Sequence, residues 1–290
     1  MITDFRHSFL AFFFIFFLGS SYSARCQNNE NNFVEYLYNS NQYKHVIDYL
    51  QHLQLSQKSL ISPDSANFLI GKSFYHLQEH THSNQYLSKV SGSLNNYNES
   101  RFLININSIY NEDFKRGYEA LNNLKVEDSV VANLKYFELS GLALLNRDIA
   151  AFDKYDQNIT QEYYYFSNER ASLQNVAEEL RNKKLKSPWV AGIATAIIPG
   201  AGKFYAGKRG QGIYSFVISM FLALQVWESY RIDGIESPRF IIYGSLFSLF
   251  HAGNIWSSAL TVKNYNKEYN EAVNYRIKMD LHIPIRSFFN

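Results

Sequence analysis

Residues Ser187–Val262 are largely apolar, and no other feature of this 290-residue chain narrows its fold as much. Within them lie three runs, Trp189–Gly202, Gln211–Ser229 and Phe240–Val262. Crossing a bilayer takes about twenty residues of helix. The last run is long enough and the second nearly so. The first is short and broken by Pro199-Gly200, which suits a short tilted helix or a re-entrant hairpin. Each run carries small residues four apart: Gly192, Ala196 and Gly200; Ser215, Ser219 and Ala223; Gly244, Ser248 and Ala252. Lipid offers no hydrophobic drive between helices, so association rests on close backbone approach, which such stripes permit. The expectation for residues 187–262 is a transmembrane helical hairpin or a three-helix cluster.

The N-terminus reads as a secretory signal over residues 1–26. Arg6 and His7 precede a ten-residue apolar run, Phe9–Leu18, and a small polar stretch, Gly19–Ser23. Ala24 and Cys26 suit a cut before Gln27, with Ser21 and Ser23 as an earlier alternative. An uncleaved anchor is the other reading. Lipidation of Cys26 is disfavoured because Arg25 stands where a small apolar residue is wanted. Cys26 is the single cysteine, so its removal leaves no disulfide and no thiolate metal site. A net charge of +2 makes no case for nucleic acid.

From Asn31 to Ile159 the chain has almost no glycine or proline inside its periodic stretches, and apolar residues recur at helical steps. Phe33, Tyr36 and Leu37, then Val46, Ile47, Leu50 and Leu53, form a helix pair around Asn39-Ser40-Asn41, and Ser62-Pro63-Asp64 starts the next helix. Ile70-Gly71, Phe74, Ser83, Leu87 and Val90 are matched thirty-four positions on by Ile104-Asn105, Ser108, Gly117, Leu121 and Leu124. A further copy begins near Gly141 and turns at Asn146-Arg147-Asp148. This period, with small residues where helices cross, resembles the tetratricopeptide repeat. Asn105 departs from the glycine or alanine expected there. The resemblance implies a helical-repeat solenoid over residues 27–160 that binds protein partners on a concave face. The alternative is a helical spacer with no ligand. Residues 161–186 then form a capping helix carrying Ala171, Val176, Ala177 and Leu180.

Pro199, Gly200, Gly202, Tyr205 and Gly207 make a P-G-x-G-x-x-Y-x-G pattern. It is similar to that of the short two-span bacterial membrane domain family and of C-terminal modules in uncharacterised Gram-negative repeat proteins, which Gly253-Asn254-Ile255 also resembles. The resemblance implies a membrane-embedded module. Lys203 stands where glutamine is expected. Three crossings put Lys203, Lys208 and Arg209 inside, in line with the positive-inside tendency. They also put Arg181, Lys183, Lys184 and Lys186 outside, against it, where anionic headgroups would meet them. Two crossings plus a re-entrant segment remains the other arrangement. His251 and Asn254 are polar groups at depth and so candidate functional residues, the bland reading being interhelical hydrogen bonds to Ser215 or Ser219. Residues 263–290 form a tail. Tyr265, Tyr269 and Val273 continue a helical face, while Leu281, Ile283 and Ile285 alternate around Pro284, which suits packing on the membrane module or addition to a partner's sheet edge.

His76-Leu77-Gln78-Glu79-His80 fits the inverted zinc-peptidase pattern H-x-x-E-H, with His82 nearby. It falls on a repeat turn, and no further acid completes the ligand set. Ala66–Ser73 and Gly202–Lys208 mimic phosphate loops but lack a preceding strand, and Arg209 replaces the metal-binding hydroxyl of the second. No metal or cofactor is expected, and the chain is read as a non-enzyme. The function expected is that of a membrane-anchored envelope scaffold in the bacterial inner membrane, its periplasmic repeats binding envelope proteins, with lipid and its own copies as further partners. The alternative is a small transport, insertion or assembly factor acting through the P-G-A-G-K-F-Y-A-G module.

Overall fold

Side chains that can close helix ends and fill hairpin crossings recur through the first half, and the fold follows them. The computed structural model of the chain describes residues 30–56, 61–160 and 164–289. The signal sequence expected over 1–26 lies outside them. Every element among the described residues is helical. The helices are α1 (residues 30–39), α2 (Tyr43–Ser56), α3 (Pro63–His76), α4 (His80–Leu87), α5 (Tyr97–Tyr110), α6 (Phe114–Asn122), α7 (Ser129–Leu145), α8 (Ile149–Asp156), α9 (Ser167–Asn182), α10 (Pro188–Ile197), α11 (Ala201–Ala206), α12 (Arg209–Asp233) and α13 (Pro238–Phe288). Two compact units emerge: Met1–Ala177 with Ile277–Asn290, and Glu178–Arg276. The unit boundaries fall between Ala177 and Glu178 and between Arg276 and Ile277, inside the spans 161–186 and 263–290.

In the first unit, helices α1 to α8 pair as hairpins through four equivalent turns. Each turn holds one non-glycine residue in the left-handed region: Asn41 (φ 57°), Gln78 (61°), Glu112 (59°) and Arg147 (61°). The following amide closes back on a carbonyl five residues earlier in every case: Gln42 to Leu37, Glu79 to Phe74, Asp113 to Ser108 and Asp148 to Ala143, all at 2.9 Å. This closure satisfies helix-end carbonyls that would otherwise be orphaned. Asp113 and Asp148 then cap the next helices by accepting from the Arg116 and Ala151 amides. Ser62 does the same for α3, with Pro63 at its first turn.

Packing explains the small residues. A Cβ on Gly71 would meet the Leu87 side chain at 2.6 Å, and one on Gly117 would meet Asn105 Oδ1 at 2.7 Å. The core of α1 to α3 gathers Val34, Leu37, Val46, Leu50 and Ile70, and the next holds Phe68, Leu87, Leu103 and Ile104. Of the apolar residues read on α1, Leu37 is buried beside Val34, whereas Phe33 and Tyr36 are exposed. Asn105 gives the crossing a second use: its amide donates to Glu138 Oε2 at 2.9 Å in full burial. Burial raises the Glu138 carboxyl well above its usual range, opposed by the Asn105 hydrogen bond.

In the second unit, α10, α11 and α12 follow one another through glycine turns. Gly200 (φ 83°) and Gly207 (φ 88°) both occupy the left-handed region. A Cβ on Gly200 would overlap the Gly212 carbonyl, and one on Gly202 would overlap the Ala191 carbonyl and Thr195. Short helix, turn and short helix thus replace the open choice left for Trp189–Gly202. Among the described residues α12 is the helix long and apolar enough to cross a bilayer, with α10 a shorter apolar one. Phe240–Val262, expected to be a span in its own right, is part of the 51-residue helix α13.

Candidate functional site

Two groups of polar side chains bear on function, one in each unit. In the first unit, the end of α13 lies along α3, α5 and α7, the first helices of three successive hairpins. Ile277, Leu281 and Ile285, four residues apart, are buried to 1 % exposure or less. Burying three such side chains contributes roughly 4–9 kcal/mol before ordering costs. Leu281 fills the space beside Gly141, where a Cβ would collide with it. Phe289 packs on Phe102 with ring centroids 5.4 Å apart, and Ser172 donates to Asp280 at 2.6 Å. The tail therefore does not adopt the sheet-edge conformation that its alternation suggested. Helical spacing buries Leu281 and Ile285 and leaves Ile283 44 % exposed.

Beside this helix end lies a cavity of about 420 Å³. His282 reaches two tyrosines there: Nε2 meets the Tyr75 hydroxyl in a short hydrogen bond, and Nδ1 lies 3.2 Å from the Tyr110 hydroxyl. His80 stacks on Tyr110 at 4.8 Å, and its Nδ1 lies 2.7 Å from Asn107 Oδ1. Asn107 in turn donates to Ser83 and Asn84, tying α5 to α4 in a buried network. Burial, then the Arg286 charge and His80, lower the pKa of His282. Burial and the Lys72 charge lower that of His76. Burial pushes the Tyr75 hydroxyl up to about 12.

The structure separates the H-x-x-E-H residues. His76 ends α3, hydrogen-bonded to Tyr38 at 2.8 Å and stacked on Tyr43, while Glu79 and His80 open α4 beyond the left-handed Gln78. No group of three metal-ligating side chains occurs among the described residues. Lys72 and Ser73, the end of the first phosphate-loop mimic, lie inside α3, with Lys72 paired to Glu99 at 2.6 Å.

The second place is the P-G-x-G-x-x-Y-x-G region, where each motif residue has a conformational use. Pro199 precedes the Gly200 turn; Gly202 donates its amide to Thr195 Oγ1 at 2.9 Å; the Tyr205 hydroxyl accepts from the Ser187 amide at 3.1 Å; Gly207 ends α11. Thr195 Oγ1 then donates to Ser258 of α13 at 2.9 Å. Lys203 donates to Ser215 at 2.7 Å and to Asn254 Oδ1 at 3.3 Å, and the Asn254 amide donates to Ser219 at 3.3 Å. A lysine, two serines and an asparagine from three helices thus form one polar cluster. His251 is elsewhere: its Nε2 lies 3.3 Å from the Ala196 carbonyl and its ring stacks on Phe247.

The small-residue stripes divide. Gly192, Ser215 and Ser219 are buried and Ala223 half-buried, whereas Ala196 is exposed. Gly244, Ser248 and Ala252 do not form a contact face, since Gly244 has open space beside it and the other two are exposed. On α13 the buried row is Asn254, Ser258 and Val262. Hydrogen bonds from Thr195 to Ser258 and from Asn254 to Ser219 hold this row of α13 toward α10 and α12. Lys183 and Lys186 lie over the Tyr269 and Tyr265 rings at 4.9 and 4.2 Å, a cation–π use of residues that charge counting alone placed among headgroups.

Sequence reasoning missed His282, Thr195, Ser258 and the Asn105–Glu138 pair. The Asn-x-Asp tripeptides at 111–113 and 146–148 were the available signal for the shared turns. No protein-family model, curated protein or solved structure matches this chain, so its function is read from these two places.

Proposed function

We propose that the chain is a membrane-anchored envelope scaffold whose hairpins form tetratricopeptide-like repeats and bind a protein partner. The observation that carries this reading is the face shared by α3, α5 and α7, which accepts the chain's own amphipathic helix end through Ile277, Leu281 and Ile285. A surface shaped for one such helix suits recognition of helical segments, whose apolar anchors recur at three- and four-residue steps. The four equivalent turns support the repeat reading. The P-G-x-G-x-x-Y-x-G resemblance and the exposed Trp189, Phe221, Trp227, Leu249 and Trp256 support lipid as the surroundings of the second unit. The bacterial inner membrane, with the hairpins on the periplasmic side, is the location that goes with the export signal. Catalysis is not part of this reading.

The test places a photo-crosslinking residue at exposed Tyr36 or Tyr118 in the full chain in cells. The expected result is one discrete adduct of the same mass in repeated experiments, lost on charge reversal of neighbouring exposed residues while membrane insertion persists. Absence of any discrete adduct from both positions, together with a neutral phenotype for those changes, defeats the reading.

A second reading, a small transport, insertion or assembly factor, is favoured by the Lys203–Ser215–Asn254–Ser219 cluster. Its ammonium is held by neutral acceptors. Lys203→Met at unchanged protein level should then abolish cellular function. Full activity of that variant eliminates it.

A further inference from the structure

We propose that the cavity beside the end of α13 is a binding site for a small organic oxyanion, a carboxylate or phosphate head carried on a compact apolar body. This goes beyond the scaffold reading and does not rest on it. Three observations converge. The first is space: about 420 Å³ falls within the range of small-molecule pockets, roughly 300–1,000 Å³.

The second is charge. Lys72 and Glu99 line the cavity but are committed to each other at 2.6 Å. Arg286 also lines it, and its guanidinium has no ion-pair or hydrogen-bond partner among the described residues. The uncompensated charge at the cavity is therefore positive, and a guanidinium suits the two oxygens of a carboxylate or phosphate.

The third is the wall. Leu103, Ile285 and Phe289 supply an apolar side, and the Tyr75 and Tyr110 rings a polarizable one. His76 and His282 are kept neutral at pH 7 by burial and by Lys72 and Arg286, so they act as hydrogen-bonding groups rather than further charges. A bare inorganic anion would leave the apolar wall unused. A neutral hydrocarbon would leave Arg286 unanswered.

The site is completed only when residues 277–289 are in place, because His282, Ile285, Arg286 and Phe289 all come from that helix end. A bound oxyanion would therefore hold the helix end against α3 and α5 by mass action.

The test uses the full chain in detergent micelles with benzoate, phenyl phosphate, benzyl alcohol and inorganic phosphate as probes. Binding is followed by calorimetry and by the His282 ring signals in NMR. The expected result is saturable binding of benzoate or phenyl phosphate in the range of about 0.1–1 mM, with His282 signals shifting in step. Arg286→Gln should weaken it about tenfold or more while hydrogen exchange of residues 277–289 in the unliganded variant stays as slow as in the parent, so that the helix end remains docked. The tighter of the two probes names the head group. Failure of both organic anions to saturate overturns the proposal, as does undiminished binding by Arg286→Gln. Benzyl alcohol binding equally well removes the need for charge, and inorganic phosphate binding equally well removes the need for an apolar body. Either result also overturns it.

Discussion

The two units differ in the size of the side chains they bury and in how much apolar surface they leave exposed. The hairpins of α1 to α8 bury large apolar side chains, Phe102, Phe137, Leu50 and Leu144, beside polar groups such as Asn105 and Glu138, whereas α10 to α12 and the first part of α13 bury small ones, Ala191, Ala206, Thr195, Ser215, Ser219 and Ser258, and expose Trp189, Phe221 and Trp256. Water drives apolar surface inward. Where the surroundings are as apolar as leucine, that drive vanishes, and close packing and hydrogen bonds remain to hold helices together. The contrast shows that helical periodicity alone does not say which face is inside; the solvent does. It is also the physical ground for proposing lipid around the second unit.

The largest effect should separate the two kinds of surface. Phe137 is fully buried, and Phe137→Ala should cost about 3–5 kcal/mol in denaturant unfolding of the hairpin unit. Trp256, 77 % exposed, should cost nothing in the same assay when changed to alanine, and should instead weaken retention in membranes after alkaline washing. Equal losses for the two variants would break the contrast.

Next comes close approach in the polar interior. Gly202→Val forces a side chain against the Ala191 carbonyl and Thr195 and should cost about 1–3 kcal/mol. Gly253→Ala enters open space and should be silent. Thermal unfolding in detergent separates them, and a silent Gly202→Val would mean that the turn can relax.

The pH responses of the first unit sharpen the picture further. Glu138 has a folded pKa raised above its ordinary 4.5, so its contribution is fully present below that value and is lost as pH rises. Glu138→Gln keeps the Asn105 hydrogen bond and should be more stable than the parent at alkaline pH, the difference vanishing in acid. His282 behaves oppositely, because its folded pKa is depressed below 6.5. Stability from the docked helix end is full above that value and is lost as pH falls, where a charged imidazole would face Arg286 and His80. Hydrogen exchange across residues 277–289 at pH 7.5 and 5.5 reads this, and His282→Gln should flatten the response. The smallest effect is Gln78→Gly, which relieves a left-handed backbone and should add up to about 1 kcal/mol.

Much of this was visible along the chain. The helical class followed from the step of apolar residues, and several boundaries followed from Ser62-Pro63-Asp64, Asn146-Arg147-Asp148 and Pro199-Gly200. The candidate sites were less legible. Asn105 looked like a flaw at a helix crossing until Glu138, thirty-three positions away, supplied its partner. Gly244, Ser248 and Ala252 read as a packing stripe, whereas the row of α13 that meets α10 and α12 holds Asn254 and Ser258, whose partners Ser219 and Thr195 lie thirty-five and sixty-three positions away. Leu281, Ile283 and Ile285 read equally well as strand or helix, since so short a run fits both periods.

The sequence by itself determined local matters: helix as the backbone conformation, where several hairpins turn, that Pro199-Gly200 breaks the first apolar run, and that a long apolar block follows a polar half. These depend on neighbours a few residues apart, whose sterics and hydrogen bonds act within one turn. Tertiary structure alone decided that residues 277–289 cover α3, α5 and α7, that His282 sits between Tyr75 and Tyr110, and that Lys203 meets Asn254. Those pairings join residues from 51 to 207 positions apart. They are selected by shape and by the cost of leaving buried polar groups unpaired, neither of which is expressed until the helices have packed.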